Sequence, residues 1–152
     1  MSSEHRYRIL YIEDNPADIR LLQEAISQNS SEIELQPVES GEEALKRLQT
    51  SERPHLVLLS WRLPAMGGAE VLRELKRSPE LRAIPVVVLS SKLSDVEVEQ
   101  IYSSHANCVI EKPLLLEAFT ESIERIRSFW TGVTTLPNWD GSREDSGRTA
   151  LL

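Results

Sequence analysis

A single cysteine, Cys108, stands in a chain of 152 residues. That excludes an intrachain disulfide and any zinc site built on several thiolates. Positive charge is also in short supply: 17 Lys and Arg face 24 Asp and Glu, for a formal net charge of −7. Nucleic-acid binding needs a basic face, so no nucleic-acid partner is expected. Apolar runs are short, and none nears the roughly 20 residues of a membrane span. Met1–Tyr7 is too polar for a secretion signal. A cytoplasmic protein with no membrane partner is therefore expected. His5, His55 and His105 are scattered without ligand spacing and are expected on the surface. Cys108 reads as a small, unreactive residue.

What remains is 40% hydrophobic and 27% charged, the composition of an ordinary globular domain. A fold of this length buries about 68–70% of its unfolded surface and needs no staple. Segment types alternate along the chain. The apolar runs 8–12, 33–38, 56–59, 84–89 and 109–110 read as strands, and Pro37 suggests that the second lies at an edge. Leu56–Leu59 is apolar throughout, as a strand covered on both faces should be. Residues 16–28, 41–49, 68–77, 95–103 and 115–130 carry helical spacing. Asn15 and Ser94 are placed to cap the first and fourth helices, and Pro16 suits a first helical position. Five strand–helix pairs imply a flavodoxin-like, doubly wound α/β domain with a parallel sheet of order 2-1-3-4-5. The domain is expected over 1–130. Residues 131–152 form a C-terminal extension whose end, WDGSREDSGRTALL, is polar and expected to be partly disordered.

Ligands in such sheets sit at the C-terminal strand ends. Glu13 and Asp14 follow strand one, Ser60 follows strand three, Ser90 and Ser91 follow strand four, and Lys112-Pro113 follows strand five. A flavin phosphate loop would need a Ser/Thr/Gly-rich turn after strand one, which Glu13-Asp14-Asn15-Pro16 is not. A carboxylate-nucleophile phosphatase would need two aspartates spaced by one residue there, and Ile12–Asp14 lacks them.

The ordered set Glu13-Asp14-Asn15-Pro16-Ala17-Asp18, Leu63-Pro64-Ala65-Met66, Ser90 and Lys112-Pro113 resembles the receiver domain of two-component response regulators. Ala106-Asn107, Phe129-Trp130 and Leu136-Pro137 make it similar to the single-domain regulators that accompany phytochrome-type histidine kinases. The resemblance implies phosphoryl transfer from a kinase histidine to an aspartate. It assigns Mg²⁺ to Glu13, Asp14 and the Arg62 carbonyl, and phosphoryl contacts to Lys112 and the Ser90 hydroxyl. It also implies a cis Lys112–Pro113 peptide.

Two positions depart from that pattern. Ser60 stands where the family has its phosphoacceptor aspartate, and Val109 where it usually has a switching aromatic ring. A serine hydroxyl is a weak nucleophile without a base, and losing a carboxylate weakens any metal site. The expected function is a degenerate pseudo-receiver: not an enzyme, without a cofactor, with Mg²⁺ bound weakly or not at all. It would be a phosphorylation-independent interaction module that binds a histidine kinase, phytochrome-type or other, or another response regulator. Homodimerisation is expected through the fourth helix, fifth strand, fifth helix and the extension, with Phe129, Trp130, Leu136 and Trp139 as contacts. The alternatives are phosphorylation through Ser60 or a displaced acid, and an engineered Ser60 in an ordinary receiver. Lys112 is expected to pair with Asp14 or Glu13, Trp61 to lie near the crevice mouth, and Arg62 to be a surface charge.

Overall fold

The computed structural model describes residues 7–29, 32–50, 52–137 and 139. Strands β1 (Tyr7–Ile12), β2 (Ile33–Val38), β3 (Leu56–Leu59), β4 (Val86–Ser90) and β5 (Cys108–Glu111) alternate with helices α1 (Pro16–Asn29), α2 (Gly41–Thr50), α3 (Gly68–Arg77), α4 (Asp95–Ser103) and α5 (Leu116–Ser128). The strands form one sheet of order β2-β1-β3-β4-β5. Every pairing is parallel, for example Ile9 with Leu56, Leu59 with Val88, and Ser90 with Glu111. This is the expected flavodoxin-like fold, and β2 with its Pro37 is at an edge.

Strand alternation divides the apolar residues between two cores. Leu10, Ile12, Val57, Leu59, Val86 and Val88 face α2, α3 and α4, where Ala44, Leu48, Val71, Leu72, Leu75 and Ile101 meet them. Ile9, Tyr11, Leu56, Leu58, Val87 and Leu89 face α1 and α5, against Leu22, Ile26, Phe119 and Ile123. A side-chain period of two makes this division automatic once the strands pair. All residues of β3 and β4 are buried, because helices cover the sheet on both sides.

Local chemistry sets the helix ends. Asn15 Oδ1 accepts from the Ala17 amide at 2.9 Å and the Asp18 amide at 3.4 Å. Ser94 and Glu97 form a reciprocal capping box at the start of α4. At the other end, α5 stops earlier than its apolar spacing suggests. Residues Phe129–Val133 form a π-type turn, closed by the Thr134 amide on the Phe129 carbonyl at 2.9 Å. Thr131 and Thr134 hydroxyls donate to the carbonyls of Arg127 and Trp130, competing with regular helix bonding.

Three expectations need correction. β4 begins at Val86, not Ile84, because Pro85 has no amide to donate to a ladder. No cis peptide occurs among the described residues, so Lys112–Pro113 is trans, the form X–Pro bonds ordinarily prefer. His55 is buried, not superficial: its Nδ1 accepts from the Arg8 amide at 3.0 Å and its ring meets Tyr7 edge-on.

Within the extension, Leu136 is buried and Trp139 packs against the α2–α3 side of the core. Trp139 Nε1 donates to the Pro54 carbonyl at 2.9 Å, and Arg53 lies over its ring. These two residues, expected at a dimer contact, are thus covered within the chain. Phe129 remains exposed. Of the polar end expected to be disordered, residues 139–152, Trp139 is held by these contacts, and residues 140–152 lie outside the described residues.

Gly68 is required by close approach. A Cβ there would sit 2.7 Å from the Ser60 carbonyl oxygen and 2.8 Å from Trp61 Cα, both backbone atoms. Gly68→Ala should cost about 1–3 kcal/mol by overpacking, although alanine is the better helix former. Urea denaturation measures this, and an unchanged midpoint would mean that the β3–α3 loop moves away freely.

Candidate functional site at the C-terminal strand ends

Parallel pairing brings the ends of β1, β3, β4 and β5 side by side. Ser60 follows β3 in line with Glu13 after β1, and its amide donates to the Ile12 carbonyl at 3.0 Å. Ser90 ends β4, and its carbonyl accepts from the Lys112 amide at 2.8 Å. Glu13, Ser60 and Ser90 are buried, whereas Asp14 is exposed.

Lys112 organises the charge. Its Nζ lies 2.6 Å from Glu13 Oε1 and 2.8 Å from Asp18 Oδ2. The Lys112 and Glu13 side chains are 9% and 4% exposed, so the pair is nearly dry, while Asp18 keeps 28% of its surface in water. Glu13 also accepts from the Asn15 amide at 3.1 Å and, more weakly, from the Tyr11 hydroxyl at 3.4 Å. Burial, and after it the negative charges of Glu13 and Asp18, raises the Tyr11 pKa far above the usual phenol range. Tyr11 therefore stays protonated and serves as a donor. The expected partner Glu13 is found, but Asp14 is not the second one. Asp18 takes that place because the Asn15 cap starts α1 so that its first turn faces Lys112. A motif seen as a string does not reveal which of its acids turns inward.

The two serines are placed differently. Ser90 Oγ accepts from the Trp61 amide at 2.7 Å, joining the loop after β3 to the end of β4. Trp61 is half-buried, with its side chain against the α2–α3 core. Arg62, expected to be a plain surface charge, reaches the next loop and binds the carbonyls of Ser91 and Lys92 and the Glu97 carboxylate. Val109 is half-buried on β5 beside Val88, against the α2–α4 side of the core. Its amide donates to the Tyr102 hydroxyl at 3.2 Å. Cys108 is half-buried, and burial raises its pKa, which favours the protonated thiol.

A divalent cation here would need several oxygen ligands. Among the described residues no group of three His, Cys, Asp or Glu side chains is placed to hold one. Glu13 is occupied by Lys112 and the Asn15 amide, and Ser60 adds a hydroxyl where a carboxylate would bind more strongly. The residues present do not fit a strong metal site.

The response regulator receiver domain family matches residues 9–124. The chain belongs to that family. Rcp1 of Synechocystis sp. is 38% identical over 135 residues, which cover 85% of this chain and 92% of that protein. The probable methanogenesis regulatory protein FilR2 of Methanothrix harundinacea is 37% identical over 142 residues, 90% of this chain and 92% of that one. Among solved structures, the phosphorylated cyanobacterial phytochrome response regulator RcpA superposes with a TM-score of 0.83 at 38% identity, covering 88% of this chain and 99% of that one. The Mn²⁺-bound form of Rcp1 superposes at 0.81 and 38% identity, over 87% and 99% of the two chains. Receivers are signalling domains of two-component systems. No helix among the described residues of this receiver is long and apolar enough to cross a membrane.

Replacing the cation of this receiver tests the charge arrangement. Lys112→Met leaves Glu13 buried beside Asp18 without a counter-ion, and should cost about 3–5 kcal/mol at neutral pH. Adding Glu13→Gln should recover a large part of that loss. Urea denaturation of the single and double variants measures both, and a single-variant loss below about 1 kcal/mol, the range of a surface pair, would contradict the geometry.

Proposed function

We propose that this chain is a degenerate receiver that acts as a phosphorylation-independent interaction module in two-component signalling. It is not an enzyme, and it neither requires a cofactor nor binds Mg²⁺ more than weakly. The carrying observation is the residue after β3: Ser60, a buried hydroxyl, at a strand-end cluster whose lysine is already held by Glu13 and Asp18. An ionised aspartate attacks phosphorus directly, whereas a serine needs a base to remove its proton. A phosphoserine ester also lacks the lability of an acyl phosphate. In this reading Ser60 occupies the phosphoacceptor position, Glu13 and Asp14 are the residual acidic pocket, Ser90 is the switch hydroxyl, Lys112 the former phosphate-binding lysine, and Val109 the position of the missing switch ring.

The partners in this reading are a histidine kinase, phytochrome-type by analogy with Rcp1 and RcpA, or another response regulator. Among the described residues, the exposed large hydrophobic ones are Val96, Tyr102, Leu114, Leu115 and Phe129. They lie on α4, in the turn after β5 and just past α5, the elements through which association is proposed. A second copy of the chain is expected on that face, making the protein a cytoplasmic homodimer.

Intact mass after incubation with acetyl phosphate and Mg²⁺ tests the reading. The native chain should gain no phosphate, and Ser60→Asp should gain one. Phosphate on the native chain, at Ser60 or on a displaced acid, would sink the proposal. The same variant places a third carboxylate near Glu13 and Asp14. It should lose about 1–3 kcal/mol of metal-free stability at neutral pH through repulsion and bind Mg²⁺ more tightly. Equal melting temperatures without metal, together with unchanged Mg²⁺ affinity, would count against Ser60 facing that pocket.

A further inference from the structure

The loop after β3 is tied to the end of β4 by the chain's own groups. The Trp61 amide donates to Ser90 Oγ at 2.7 Å. One residue further, Arg62 crosses to the following loop. Its Nη1 donates to the Ser91 carbonyl at 2.6 Å, and its Nη2 to the Lys92 carbonyl and to Glu97 Oε1, both at 2.7 Å.

Glu97 is no ordinary surface partner. The same carboxylate oxygen accepts from the Ser94 amide at 2.9 Å and so forms half of the capping box that begins α4. The Ser94 amide, and with it the Arg62 guanidinium, holds the Glu97 carboxyl below the usual range, so it is charged at neutral pH. One planar guanidinium therefore joins the loop after β3 to two carbonyls of the loop after β4 and to the first turn of α4. Lys92, whose carbonyl Arg62 takes, has a φ of 52°, a left-handed conformation that a lysine keeps when its surroundings hold it there. Gly68 packs closely against the backbone of Ser60 and Trp61, the residues just before Arg62.

We infer that Arg62 is a positioning residue that latches the β4–α4 loop, and with it the start of α4, whose exposed residues include Val96 and Tyr102, in one conformation irrespective of phosphate. The inference rests on the proposed function only for the use of that face; the latch itself does not depend on it. It supplies what a receiver without phosphate chemistry would need, a docking face fixed by the chain's own residues. An isolated exposed ion pair fixes little. Here a rigid fork satisfies three acceptors at once, and lysine, a point charge on a flexible stem, cannot reproduce it.

Amide hydrogen exchange on the full chain tests this, comparing native, Arg62→Gln, Arg62→Lys and Glu97→Gln proteins without any phosphodonor. Arg62→Gln should speed exchange at residues 91–97 about tenfold or more, with the β1 and β3 amides unchanged. Arg62→Lys should fall between native and Arg62→Gln. Glu97→Gln should do less than Arg62→Gln, because glutamine still completes a capping box and the carbonyl contacts remain. A change within about twofold for Arg62→Gln, native behaviour of Arg62→Lys, or a rise spread equally over the core strands would overturn the latch. All four chains keep Ser60, so the two claims fail separately. Phosphate uptake by the native chain defeats the degenerate reading and leaves the latch standing. A flat exchange comparison does the reverse.

Discussion

The ammonium of Lys112, held between Glu13 and Asp18, is the interaction on which the rest of the strand-end crevice depends. The end of β1 and the first turn of α1, neighbours in sequence, meet here a residue 99 and 94 positions away from Glu13 and Asp18, just after β5. Bringing a buried carboxylate and a lysine out of water is costly, and good geometry with further hydrogen bonds is what offsets it. Glu13 meets that condition with the Asn15 amide and the Tyr11 hydroxyl as additional donors. The buried Glu13 carboxylate thus has its counter-ion within the chain.

That arrangement also determines what the crevice can do. A receiver that takes phosphate must present a carboxylate to phosphorus, hold a cation and leave its lysine available to the incoming oxygens. Here the strand-three residue is a hydroxyl, the lysine is doubly paired, and the Ser90 hydroxyl is already bonded to the Trp61 amide. The half-buried Val109 has no ring to swing between positions. Each feature points to a static crevice, and Arg62 extends that stillness to the start of α4. Of the exposed apolar residues, Val96 and Tyr102 lie on α4, the helix that follows this loop.

Much of the fold was legible because period and punctuation agreed. The bounds of β2, β3, α3 and α4 match those read from the residues, since apolar spacing and the flanking Pro, Gly and Ser residues mark the same places. The strand-end cluster was legible too, because parallel topology alone brings Glu13, Ser60, Ser90 and Lys112 together. What stayed hidden depends on tertiary partners. Asp18 looks like any acid in a first helical turn until the fold brings Lys112, just after β5, to its side chain. Arg62 looks like a solvated charge until the next loop offers it two carbonyls. His55 is buried because the Arg8 amide and the Tyr7 ring lie beside it, and nothing near it in sequence says so. The π-type turn after α5 arises from threonine hydroxyls taking helix carbonyls, a competition that apolar periodicity does not register.

A Mg²⁺ titration of the native chain, followed by amide chemical shifts, tests most directly whether Lys112 holds Glu13 and Asp18 against a metal. A lysine that keeps both carboxylates predicts small, unsaturating shifts confined to the exposed acids near Asp14 through the millimolar range, with Ser60, Ser90 and Lys112 unmoved. Saturable binding at submillimolar Mg²⁺, with shifts reaching Ser60 and Lys112, would contradict it. That result would mean that the lysine yields its carboxylates to a metal, as an active receiver requires.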